Sequence, residues 1–208
     1  GSMVYSLFVA LLLNRKIPAR GFFRALFYLP YVLPAMAVYI GWSWLYETNF
    51  GLFNYLLSLV GIKKVMFIGS SKMVIPSLAL ITVWLSGNLI VIFLAGFQNV
   101  PRIYMEAAET DGANAWQTTM KVTIPLMRPI LIYVMVTSII GGLQMFDESK
   151  LVFTSVPGDA TTTMIKYMYD SAFVRSQFGY GAACAYVIFV IIMIFSAISM
   201  FITLEKKR

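Results

Sequence analysis

Histidine is absent from this 208-residue chain, cysteine occurs once, at Cys184, and charged side chains make up only 12% of it. A lone thiol excludes a disulfide within the chain, and without histidine a metal centre or a Cys-His catalytic site is hard to build. No G-x-x-x-x-G-K-[ST] run occurs either, so the chain carries no phosphate loop of that type. If its work consumes ATP, another subunit must bind the nucleotide.

What fills the space left by charge is apolar: 60% of the residues, with a mean hydropathy of +0.79. Soluble domains sit nearer half apolar and about a quarter charged, so the membrane is the solvent to reason with. Residues 25–46, 73–97, 129–146 and 176–204 contain no Asp, Glu, Lys or Arg. About 20 apolar residues cross a hydrocarbon core as a helix, and backbone groups with no water to meet must bond within their own segment. The reading is an all-α polytopic bundle, with spans at about 25–46, 73–97, 126–146 and 180–204 in a single membrane domain covering 1–208.

The N-terminus is read separately. Gly1-Ser2-Met3 resembles an expression scar, and the apolar run 4–13 is too short to span. No basic residue precedes it and no small-residue cleavage site follows it, so a signal peptide is a poor reading. The run is expected to be the tail of a helix, in a protein truncated at its N-terminus.

Lys and Arg near the span ends set orientation. Arg15, Lys16, Arg20 and Arg24, then Arg102, Lys121 and Arg128, then Lys206, Lys207 and Arg208 fall on one side, ten in all. The alternate segments 47–72 and 147–175 hold six, Lys63, Lys64, Lys72, Lys150, Lys166 and Arg175, among acidic residues. The ten-residue side, with the C-terminus, is assigned to the cytoplasm. The net charge of +7 is then accounted for by topology, with membrane lipid and not nucleic acid as the partner.

Between the spans, 49–57 reads either as a short interfacial helix started at Gly51 or as a hydrophobic loop packed on the bundle. Val156-Pro157-Gly158-Asp159 opens a turn leading into a helix around 164–173. The segment 98–125 is more ordered than a loop between spans needs to be. Asn99 and Pro101 read as helix-start residues, and Gly112 as the residue just past a helix end. Asn114 with Gln117 forms a capping-box variant that starts a second helix, and Pro125 marks the join to the next span. Glu106, Glu109 and Asp111 give the first helix negative charge beside Arg102; solvated surface charge is the bland alternative.

The spacing Glu106-Ala107-Ala108, three residues, Gly112, nine residues, Val122-Thr123-Ile124-Pro125 resembles the EAA signature of the membrane subunits of binding-protein-dependent ABC importers. Val122 and Ile124 replace the usual isoleucine and leucine conservatively. Residues 10–34, Gly96-Phe97-Gln98-Asn99-Val100-Pro101 and Phe178-Gly179-Tyr180-Gly181-Ala182-Ala183 are similar to the carbohydrate branch of that family, the maltose-type and glycerol-phosphate-type permeases.

The resemblance implies a non-enzymatic transport subunit of a bacterial or archaeal cytoplasmic membrane. Its implied partners are cytoplasmic ABC ATPase subunits that bind the ATP, a second homologous permease, an extracytoplasmic solute-binding protein and a sugar. It implies that 98–125 is the coupling element, with Glu106 and Asp111 as polar contacts to the ATPase, Ala107 and Ala108 as the close-approach face, Gly112 as the bend and Pro125 at the join.

The transport pathway is sought among polar and small residues inside spans, which face cavities or partners. Asn88 with Trp84, and Ser138, Gly141, Gly142 and Gln144, are the candidates: amides and hydroxyls bond sugar hydroxyls, and Trp84 can stack on a sugar face. They serve equally well as helix-packing groups, as Gly181 and Ala185 are taken to be. A permease for phosphate, an amino acid or a peptide is the alternative within transport. A scaffold or channel without an ATPase lacks support, because the spans hold neither intramembrane charges nor a filter-like loop.

Overall fold

The structure, a computed structural model, describes residues 1–15, 17–152 and 160–204. Every regular element among them is helical. In chain order these are α1 (Ser2–Asn14), α2 (Arg20–Val32), α3 (Ala35–Leu45), α4 (Leu52–Leu59), α5 (Val74–Trp84), α6 (Gly87–Gln98), α7 (Arg102–Thr110), α8 (Ala115–Thr118), α9 (Ile124–Leu126), α10 (Arg128–Leu143), α11 (Asp147–Leu151), α12 (Met164–Tyr169) and α13 (Phe178–Leu204). Single π-turns, Thr119–Thr123 and Asp170–Val174, follow α8 and α12. The Val156-Pro157-Gly158-Asp159 turn and the Lys206-Lys207-Arg208 tail lie outside the described residues.

By length and composition, Arg128–Lys150 and Phe178–Phe201 can each cross a membrane. The windows 25–46 and 73–97 are not single rods, because each is divided into two helices, α2 with α3 and α5 with α6. At the first break Pro34 has no N–H to give and its ring forces Leu33 out of the helical region, so α3 starts anew. At the second, Ser86 is the N-cap of α6: its carbonyl accepts from the Leu89 and Ile90 N–H groups at 3.0 and 3.4 Å, and its carbonyl and hydroxyl both accept as well from the Ser6 hydroxyl, at 3.3 and 2.9 Å.

The helices group into two compact units. One comprises Gly1–Tyr31, Leu85–Ser138 and the end of α13 from Phe195; the other, Val32–Trp84 and Ile139–Ile194. In the first, α1 lies along α6, and Val9, Ala10 and Leu13 meet Ile90, Phe93, Leu94 and Phe97, with Met127 and Val134 closing the core. The expected 4–13 helix is thus a packed element, α1. Gly87 lets α6 press against α2: a β-carbon there would lie 2.6 Å from the carbonyl oxygen of Phe27.

The second unit is built on aromatic rings. Tyr46 is buried against Trp42, Phe53 and Phe67, with ring centroids 5.3 Å away in each case, and its hydroxyl donates to the Ser77 carbonyl at 2.8 Å. Phe53 belongs to α4, so the 49–57 segment holds a helix, begun after Gly51, that seats one face in this cluster while Leu52, Tyr55 and Leu59 stay exposed. Buried Asn54 fastens its other side, exchanging bonds with the Val65 carbonyl and N–H at 2.9 and 2.8 Å.

Between α3 and α4 the Glu47 carboxylate accepts from the N–H groups of Phe50, at 3.0 Å, and Asn49. Those donors, Phe50 first, hold its pKa below the ordinary carboxylate value. A lowered folded pKa gives stabilisation that is present above the unfolded value and disappears as pH falls through the folded one. Hydrogen exchange at the Asn49 and Phe50 amides is therefore expected to gain protection as pH rises past the carboxylate range, beyond the intrinsic pH dependence. Glu47→Gln should reduce that protection at neutral pH.

Candidate functional site

The elbow between α6 and α10 is assembled by local chemistry. Helix α6 ends at Asn99, whose N–H reaches back to Ala95 and Gly96, so Asn99 closes one helix and does not open the next. Pro101 alone caps α7, and its preset φ of −61° suits the position. The far end of α7 is a complete Schellman turn: the Gly112 N–H bonds Glu109 O at 3.0 Å and the Ala113 N–H bonds Ala108 O at 2.9 Å. Gly112 sits at φ +83°, where only glycine is free of strain.

Two residues later Asn114 and Gln117 bond each other reciprocally, at 2.9 Å both ways, and start α8. The helix then widens through the π-turn Thr119–Thr123 before Pro125. Proline lacks the N–H for Lys121 and its ring crowds that carbonyl; the extra residue in the turn takes up both defects. Pro125 therefore lies inside a nearly continuous helical run from α8 into α10, three residues before α10 begins.

Helix α7 buries no residue. Met105 and Ala108 turn inward, and Met105 lines a crevice with Phe8, Phe97 and Trp116. The opposite surface presents Glu106, Ala107 and Asp111, all exposed. Beside them stand Ile103, 69% exposed, and Tyr104, 51% exposed, which sequence reasoning passed over. The signal was available: both lie within one helical turn of Ala107. Trp116 on α8, 64% exposed, is a third such residue.

The pathway candidates divide between the units, with Asn88 and Ser138 in the first and Trp84, Gly141, Gly142 and Gln144 in the second. Trp84 ends α5 with its ring edge-on to Trp42, 5.6 Å between centroids, and both line an apolar cavity of about 510 Å³. Asn88 is half-buried on the first turn of α6. The Ser138 hydroxyl is buried with no hydrogen-bond partner among the described residues. Gly141 and Gly142 are exposed, and a β-carbon at either would meet nothing within 4 Å, so packing inside this chain does not require glycine there. Gly181 is different: a β-carbon on it would lie 2.6 Å from the Ala172 β-carbon. Gln144 stands exposed just past α10.

Comparison with known proteins bears on the family and the fold. Residues 2–207 match the family described as binding-protein-dependent transport system inner membrane component. A probable ABC transporter permease of Bacillus subtilis, YesP, is 34% identical over 98% of this chain and 69% of its own length. The multiple sugar-binding transport system permease MsmF of Streptococcus mutans is 32% identical, over 100% and 71%. The arabinooligosaccharides permease AraP of Bacillus subtilis is 31% identical, over 93% and 63%. The chain thus spans roughly two thirds of the length of these relatives. A bacterial alginate ABC transporter, solved with an alginate pentasaccharide-bound periplasmic protein, contains a chain of the same fold, with a TM-score of 0.85 at 22% identity over 97% of this chain and 73% of that one. The chain belongs to the binding-protein-dependent transport system inner membrane component family, the membrane permeases of ABC importers.

Proposed function

We propose that this chain forms half of the translocation pathway of an ATP-driven importer for a sugar or oligosaccharide, and that it grips a separate cytoplasmic ATPase through α7. The observation that carries the reading is an exposed helix with no buried residue, entered through the restricted backbone of Pro101 and closed by a Schellman turn. A short, rigid and unburied helix suits a lever seated in another protein's groove. Its charges support this. Arg102 stands at the N-terminal end and Glu109 and Asp111 at the C-terminal end, the reverse of what the helix dipole favours, so they do little for α7 itself. Ile103, Tyr104 and Ala107 supply the apolar part of the contact, and Glu106 and Asp111 the polar part.

The cargo follows from the relatives, whose names include trehalose and maltose, arabinooligosaccharides and multiple sugars. A second homologous permease and an extracytoplasmic binding protein complete the assembly, with the C-terminus in the cytoplasm. Trp84 and Asn88 on the broken α5–α6 segment, with Ser138, Gly141, Gly142 and Gln144, line the sugar's route. The test is to co-purify the full-length permease with its partner permease, ATPase and binding protein, and to screen carbohydrates for stimulation of ATP hydrolysis. Stimulation by at least one sugar is expected; none by any carbohydrate would overturn the substrate class.

A further inference from the structure

A second polar cluster, lined by none of the pathway candidates, lies where α12 and its π-turn meet α13. The Arg175 N–H donates to the Asp170 carbonyl at 2.9 Å, closing a turn of five residues. In an α-helix residues five apart point about 140° away from each other. The wider i→i+5 turn brings them to one side, and Asp170 and Arg175 both line a cavity of about 700 Å³. Tyr167 and Tyr180 line it too, with rings edge-on at 6.2 Å and hydroxyls 3.4 Å apart, and the Arg175 guanidinium lies 5.8 Å from the Tyr167 ring centre. Cys184 stands on the apolar wall.

The cavity is deliberately shaped by the backbone. Ser176, just after the π-turn, has φ 56°, a conformation a non-glycine residue adopts at a cost. Gly181 lets α13 close on Ala172 beneath it. Strain and π-turns of this kind gather at ligand sites.

We infer that this cleft is a saccharide-binding subsite on the external side of the permease, where the arriving sugar is held by Asp170, Arg175, Tyr167 and Tyr180. This rests on the transport reading above, which places segment 147–175 outside. A carboxylate only accepts hydrogen bonds, a guanidinium only donates them, and phenols do both. The ligand that meets all of them is one whose groups also do both, and sugar hydroxyls fit. The cleft carries one charge of each sign, Asp170 and Arg175, so its net charge favours neither an anion nor a cation over a neutral polyol. The apolar wall suits the C–H face of a sugar ring, and the volume falls within the ~300–1,000 Å³ usual for small-ligand sites.

Cys184 is the chain's single cysteine and is half-buried, which makes it a reporter. The full-length permease, assembled with its partners in lipid nanodiscs, is treated with N-ethylmaleimide, and labelling of the Cys184 peptide is followed by mass spectrometry. Maltotriose, trehalose and arabinotriose are the probes, and ATP hydrolysis is measured on the same samples. At least one of them is expected to slow labelling. Asp170→Asn and Arg175→Gln should each raise the concentration needed by about tenfold, the loss of one hydrogen bond to a charged group. Tyr180→Phe, which removes one exposed hydroxyl, is the mild variant if those fail to assemble. Stimulated hydrolysis without protection of Cys184 would overturn the subsite and leave the transport reading standing. Protection without stimulated hydrolysis supports sugar binding in the cleft and counts against its being a step of ATP-driven import. Labelling that follows phospholipid composition and ignores all three sugars would mark a lipid cleft and overturn the inference.

Discussion

Gly112→Asp is expected to leave the permease in the membrane at its normal level while uncoupling ATP hydrolysis from uptake. The reason is torsional. A β-carbon at Gly112 would meet nothing within 4 Å, so no clash is involved, but the backbone sits at φ +83°. An L-residue there costs about 1–2 kcal/mol. The new carboxylate also stands beside Asp111 at the negative end of the α7 dipole, adding about 0.3–1 kcal/mol. That sum is small against a core in which Phe93 and Ala10 are wholly buried, so the fold survives. It is large for one exposed turn, because about 1.4 kcal/mol already shifts a conformational equilibrium tenfold. The last turn of α7 should unwind in most molecules, and the lever then loses its stiffness. Gly112→Asn separates the causes, since asparagine tolerates the left-handed region and adds no charge; it should keep most of the coupling. Sugar uptake and ATPase rate in the same vesicles decide the matter, and unchanged uptake in Gly112→Asp would remove α7 from the mechanism.

The elbow was legible in the sequence because its signals are local. A Schellman glycine, a capping box and a proline cap each act within five residues, and Gly112, Asn114 and Gln117 sit where that chemistry puts them. What stayed hidden depends on distance or on competition between rules. The 73–97 window reads as one apolar span, and its break at Ser86 is met by Ser6, 80 residues earlier in the chain. Pro34 was visible, yet a charge-free run of membrane length outweighed it. Asn99 suits a helix start by residue type, but α6 arrives already formed and uses it as an end. The two π-turns have no period to read, and the one at Asp170 is what puts Asp170 and Arg175 on one cavity. Glycine shows the limit in part: Gly181 reads as a packing residue and does have a neighbour that demands glycine, while at Gly141, where packing and the pathway weigh equally in the sequence, a β-carbon would meet nothing within 4 Å.

That distinction sets up a large stability effect between membrane helices, which is expected at Gly87. A β-carbon there would lie 2.6 Å from the Phe27 carbonyl oxygen and 3.1 Å from the Tyr28 α-carbon, both main-chain atoms that cannot rotate aside. In a membrane, where lipid is as apolar as any side chain, helix association depends on such close backbone approach. Gly87→Leu must therefore push α2 from α6, and overpacking of this sort costs about 1–3 kcal/mol or more. Two other glycines grade the argument. At Gly96 a β-carbon would meet the Met127 methyl and Ile130 Cδ1, at 2.7 and 2.8 Å, and flexible side-chain ends can move, so Gly96→Ala should cost less. At Gly21, inside α2, nothing lies within 4 Å, and alanine should be neutral or gain up to about 1 kcal/mol from helix propensity. Thermal unfolding of the three variants in detergent should rank Gly87→Leu lowest, Gly96→Ala between and Gly21→Ala at or above the parent. Because Asn88 is the next residue, Gly87→Leu should also lower uptake in whatever fraction still assembles, whereas Gly21→Ala should not. Equal melting temperatures for Gly87→Leu and Gly21→Ala would mean that α2 and α6 are not held by contact at Gly87.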